Sequence, residues 1–156
     1  MNARRAAIAI VAVLVASACA PTRTSDPTRS VISYRDGVEL RNAGDVGKLK
    51  GAPADFQQYI AGAADVVGGE GDPDDKCSPR IFVDKVDASG FARGGIFDCG
   101  GAQLMWARRG GGIWRQIWGG QITPDCPTMT KYRVPASIAG KTCWDVKAQE
   151  DVPYRP

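Results

Sequence analysis

The chain contains no histidine. The commonest general base, the commonest metal ligand and the usual pH switch are therefore all missing. A Ser-His-Asp or Cys-His catalytic unit cannot be assembled, nor can a His-ligated zinc site. Net charge of one sign is also scarce. Of the 20 basic side chains, Arg4 and Arg5 belong to a leader, and the remainder nearly balance the 17 acidic ones. A mature chain so close to neutral has no basic field broad enough to gather nucleic acid. Paired-cysteine metal or redox motifs are absent as well. The five cysteines stand at positions 19, 77, 99, 126 and 143, with no two near enough for a CxxC unit. No metal and no cofactor is expected. The chain is read as a non-enzyme, and catalysis would have to rest on carboxylates such as Asp84, Asp98 or Asp125.

The longest apolar run is also short. Ala6 to Ala16 reads AAIAIVAVLVA behind the cationic start Met1 to Arg5. A membrane-spanning helix needs about 20 residues, whereas a signal-peptide core needs about half that. Residues 1–18 are accordingly read as a signal peptide. Ala16-Ser17-Ala18 fits an ordinary signal-peptidase site. The stretch Leu14 to Cys19 also resembles a bacterial lipobox, with Ala16 where a leucine is usual. Cysteine parity favours the second reading, because Cys19 as a lipid carrier leaves an even four. The expected product is a lipoprotein bearing diacylglycerol and palmitate on Cys19, on the outer face of the cell membrane. Simple secretion is the alternative.

Residues 19–51 are read as the lipidated N-terminus and a flexible tether. They are rich in Pro, Ser, Thr, Arg and Gly, with Asp36-Gly37 as a turn signal. A single domain is expected over 52–148, and a loose tail over 149–156. Pro53 to Val67 reads as a helix, with proline in the first turn and Asp55 at the positive end of the dipole. Phe56, Tyr59, Ile60, Ala63 and Val67 form its apolar face. The acidic run Glu70, Asp72, Asp74 and Asp75 reads as a solvated loop without calcium-loop spacing.

From Arg80 onward the apolar period becomes two. Ile81 to Val86, Phe91 to Phe97, Gln103 to Arg109 and Ile113 to Gln121 form four runs divided by glycine-rich turns, a consecutive antiparallel meander. Gly94-Gly95 suggests a bulge or bend. The expected class is α+β: one helix on a curled four-stranded antiparallel meander of cystatin-like or NTF2-like kind, stapled by disulfides. A first hairpin centred near Ala88-Ser89 sets Cys77 against Cys99 and leaves Cys126 with Cys143. The tail segment Val134 to Gly140 reads as one helical turn, pinned by the second disulfide to the last strand.

Centring the β-turn on Gly111 puts Arg108 opposite Trp114, Trp106 opposite Gln116 and Leu104 opposite Trp118, all on one face. Two readings of that face stand. Trp106, Arg108, Trp114, Gln116 and Trp118 could line a partly exposed binding surface, the helix then covering Met105, Ala107, Ile113 and Ile117. Alternatively the tryptophans are core, as tryptophan most often is.

Gly111-Gly112-Ile113-Trp114, Gln121, Pro124-Asp125-Cys126, Val134-Pro135 and Ala139-Gly140-Lys141-Thr142-Cys143 together resemble a pattern in small exported proteins and lipoproteins of mycobacteria and related actinobacteria. The resemblance covers under half of the chain. It implies an envelope location and brings no catalytic residues with it. The expected role is a non-enzymatic envelope lipoprotein whose small domain binds a protein or envelope component. A surface inhibitor or exclusion factor acting on an incoming protein is the second possibility.

Overall fold

The structure is a computed structural model and describes residues 31–69, 77–98, 100–110 and 112–156. The expected signal peptide, Cys19 and the acidic run from Glu70 to Asp75 lie outside these residues. Val31–Leu40 forms β1, Ala54–Gly68 forms α1, and Arg80–Asp87, Phe91–Phe97, Ala102–Arg109 and Ile113–Gly120 form β2 to β5. The strands pair consecutively and antiparallel, β1-β2-β3-β4-β5. The helix and the four later strands fall where periodicity and turn residues put them. The sheet nonetheless has five strands, not four, because residues 31–40, expected to belong to a tether, join it. Asp36 and Gly37 both take positive φ, 65° and 73°, but they make a bulge within β1 and not a hairpin. Pairing resumes beyond them, with Val38 opposite Val83 and Leu40 opposite Ile81.

One face of the sheet receives α1. Phe56, Ile60 and Ala64, at helical spacing, are fully buried there with Leu40, Val83, Val86 and Ala92. The helix stops where its last turn meets the chain just after β1: a Cβ on Gly68 would lie 1.8 Å from the Arg41 carbonyl oxygen. Glycine is required at this contact.

The tail covers the opposite face. Cys126–Tyr132 (α2), Ala136–Ala139 (α3) and the hairpin of Thr142–Asp145 (β6) with Glu150–Pro153 (β7) enclose a second core. It comprises Met105, Met129, Val134, Ile138, Ala139, Cys143 and Tyr154. The segment 149–156 is thus built into the fold. Tyr154 is buried, and its hydroxyl donates to the Val134 carbonyl at 2.7 Å and to that of Met129 at 3.2 Å. Lys85 and Arg93, opposite each other on β2 and β3, donate to the carbonyls of Ser137 and Ile138 and fasten α3 to the sheet.

Cys126 and Cys143 form a disulfide with Cα atoms 5.0 Å apart. It joins α2 to β6 inside the tail, not the tail to the last strand of the large sheet. Closing a loop of this length stabilises by about 3 kcal/mol in the chain-entropy model. Cys77 is also disulfide-bonded; its expected partner, Cys99, lies outside the described residues. The β2–β3 register agrees with the hairpin that suggested this pair, with Arg80 opposite Phe97.

Candidate functional site

The tryptophan face does not assemble as a binding surface. Arg108 does oppose Trp114 and Trp106 does oppose Gln116, but β5 then bulges at Ile117, so that Trp118 opposes Met105 instead of Leu104. The extra residue turns Trp118 to the other face, where it packs with Met105 and Ile117 in the tail-side core. Trp106 and Trp114 are core, 2% and 3% exposed. Phe56 of α1 lies 4.7 Å from the Trp114 ring and meets Trp106 edge-on at 6.1 Å. The helix therefore covers the tryptophan face, and the tail covers the face that carries Met105, Ala107 and Ile117. The reason is apolar area: Phe56 fits between two indoles, and the tail supplies its own residues for the second face.

Arg108 remains half-exposed and spans from β4 to the start of α1, donating through Nη1 to Asp55 Oδ2 at 2.8 Å. Burial raises the Asp55 carboxyl. Hydrogen bonds from Arg108 and from the Phe56 N–H, with the arginine charge and the nearby Trp114 indole, outweigh it and hold the group below its ordinary value. The indole N–H is itself buried without a well-aligned acceptor, so its influence is one of proximity. Asp45 and Asp145 are held low too, by hydrogen bonds from Lys48 and from the N–H groups of Ala148 and Lys147. A depressed folded-state carboxyl stabilises above its unfolded pKa of about 3.9 and loses that contribution as pH falls through the folded value. With no histidine, stability should be level from about pH 5 to 8 and drop only below about pH 4. Thermal melts across that range should show a steeper acid-side fall for the native chain than for Asp55→Asn. Superimposable falls would exclude a contribution from this pair.

The other candidate carboxylates have structural tasks. Asp125 caps α2 by accepting from Thr128 N at 2.7 Å, and Asp98 accepts from Gly101 N at 3.2 Å in the β3–β4 turn. Asp84 lies 3.8 Å from Arg93 Nε. Among the described residues no cluster of His, Cys, Asp or Glu is suited to hold a metal ion. No described helix is long and apolar enough to cross a membrane.

Several clefts lie elsewhere on the described surface. Two open clefts of about 500 and 470 Å³ share Gln103 and Gln121 on their walls. The first runs between the end of β5 and the β6–β7 hairpin, past Thr123, Lys141, Trp144 and Asp151. The second crosses the bare backbone of Gly94 and Gly95 to reach Phe82 and Phe97. Gln121 Nε2 donates to the Gly101 carbonyl at 3.0 Å, and Thr123 Oγ1 lies 3.2 Å from an Asp151 carboxylate oxygen. The groove thus offers amides, a hydroxyl, a carboxylate, an ammonium and half-buried aromatic rings.

Sequence reasoning missed this groove. Its one available signal was register: Gln103 pairs with Gly120, the neighbour of Gln121. Trp144, from a segment read as tail, gave no such signal. Comparison of the chain with protein-family models, curated proteins and solved structures finds no match to any of them.

Proposed function

We propose that the chain is a non-enzymatic cell-envelope lipoprotein. Cys19 carries the lipid on the outer face of the cell membrane, residues up to 30 form the tether, and the domain from Val31 binds an envelope component through the Gln103/Gln121 groove. A helix on a curled antiparallel sheet, cystatin-like or NTF2-like in kind, is the scaffold; that likeness assigns no function.

One observation carries the reading. Val31 pairs with Asp87 at one end of the sheet, whereas Gln103 pairs with Gly120 at the other. A strand of eight residues spans about 25 Å. A chain held ahead of Val31 would therefore present the groove outward, away from its anchor. Within the envelope, a saccharide suits the lining best, since amides and a carboxylate meet hydroxyls while an indole edge meets a sugar face.

The test has two arms on the full chain expressed in a bacterium that processes lipoproteins. Mass spectrometry should find diacylated Cys19 at the mature N-terminus, and Cys19→Ser should release an unlipidated chain. An unmodified Cys19 in the native protein would refute the anchor. Purified wall polysaccharide should be retained by the native protein about tenfold more tightly than by the Gln121→Ala/Trp144→Ala variant, a difference of about 1.4 kcal/mol. Equal retention would remove the groove from the function.

A further inference from the structure

The end of the sheet where the chain enters has a charge pattern of its own. Val31 opposes Asp87, Asp87 opposes Phe91, Phe91 opposes Ala107 and Ala107 opposes Arg115. The start of β1, the β2–β3 turn and the β4–β5 turn consequently lie together, opposite the groove. Arg109, Ile113 and Arg115 are exposed there, and Ile113, at 78%, is among the most exposed large apolar side chains described.

The end of α2 adds to this surface. The Arg109 guanidinium lies 4.8 Å from the centre of the Tyr132 ring, and Lys131 Nζ lies 5.5 Å from the same point. Arg133, also exposed, follows in the left-handed conformation that ends the helix, φ 50°. Among the described residues none of Arg109, Arg115, Lys131 and Arg133 has a carboxylate partner. The nearby acids are engaged or hidden. Asp55 is bound to Arg108, and Asp87 is fully buried, accepting from Ser89 N. Asp145, which shares a cleft with Lys131, accepts from the N–H groups of Lys147 and Ala148.

We propose that this end of the domain is a docking surface for anionic phospholipid, the surface of the membrane to which the chain is tethered. The choice of membrane rests on the lipoprotein reading above; the docking chemistry does not. Between Cys19 and Val31 lie eleven residues, a length of chain that reaches at most about 40 Å when extended. The first part of the domain to meet the headgroups is then the end bearing four unpaired cations. A cation near an anionic leaflet strengthens binding about fivefold. Ile113, at the hairpin tip, and the amphipathic Tyr132 ring suit the boundary between headgroups and acyl chains. The mature chain is close to neutral overall, so the attraction is local to this end.

The test uses the mature chain with Cys19→Ser, so that no lipid contributes, co-sedimented with vesicles of phosphatidylglycerol and phosphatidylcholine or of phosphatidylcholine alone. Binding should require phosphatidylglycerol and fade as salt rises to about 0.5 M. Arg109→Gln/Arg115→Gln/Arg133→Gln should weaken it about 100-fold. Arg35→Gln/Arg41→Gln/Arg155→Gln removes the same charge from other exposed positions and should change it less than fivefold. Ile113→Glu, at a site too exposed to affect folding, should weaken it more than fivefold. Binding to neither vesicle, equal binding to both, or equal losses in the two triple variants would overturn the proposal. Because these assays contain no lipid anchor, their failure is separable from failure of the mass measurement on Cys19.

Discussion

Phe56→Ala should lower the unfolding free energy by about 4 kcal/mol. The side chain is fully buried and is the only aromatic of α1 that touches both Trp106 and Trp114 among the described residues. Removing it takes away its own transfer free energy and leaves a void between two indoles that cannot close, because both are fixed in paired strands. Two edge-on or tilted ring contacts go as well, each adding about 1 kcal/mol beyond area. Denaturant unfolding followed by tryptophan fluorescence should show a lower midpoint with an unchanged slope. Trp118→Ala, on the opposite face and half-buried, should cost clearly less. Should the two substitutions prove equal, the assignment of α1 to the Trp106/Trp114 face would be wrong.

Gly94→Ala should destabilise by about 3 kcal/mol, although it adds a single methyl group. Gly94 is buried in the middle of β3, and a Cβ there would lie 1.8 Å from the Phe82 carbonyl oxygen and 3.0 Å from the Val83 Cα. Backbone, not a movable side chain, occupies the space. The β2 chain presses in at this point because the β2–β3 register shifts between Val83 and Lys85. The ladder would have to part there to admit a methyl. Gly62→Ala, in an open position on α1, provides the contrast, with a small gain from helix propensity. Thermal melts of the two variants moving in the same direction would contradict the close approach.

What could be read from the sequence depended on how many residues carried each signal. β2 to β5 were legible because glycine runs separate four apolar segments, and a hairpin between such runs has few registers. α1 was legible because five apolar residues repeat at helical spacing behind Pro53. β1 was not, because Asp36-Gly37 has the chemistry of a turn. Asp and Gly accept positive φ in a bulge as readily as in a hairpin, and only the pairing partner decides between the two. The bulge at Ile117 was hidden in the same way. No residue type announces it, yet it moved Trp118 across the sheet and dissolved the five-residue face. The tail was misread for want of density: one tyrosine among polar residues looks loose, but Tyr154 finds a pocket formed by segments distant in sequence. The groove was illegible because its walls come from short stretches far apart in the sequence, from Phe82 to Asp151.

The pairing of β1 also has a mechanical side. In a chain tethered ahead of Val31 and held at the far groove, tension would run along the strand axis and load the β1–β2 ladder in shear. All its bonds would share the force, whereas a pull across the edge would break them in turn. The bulge divides that ladder into two blocks, Val31 to Ser33 and Val38 to Leu40. The block nearer the tether could release first and lengthen the leash by several residues, while α1 and the second block stayed in place. Such a domain would yield in steps under load, with its ligand still attached.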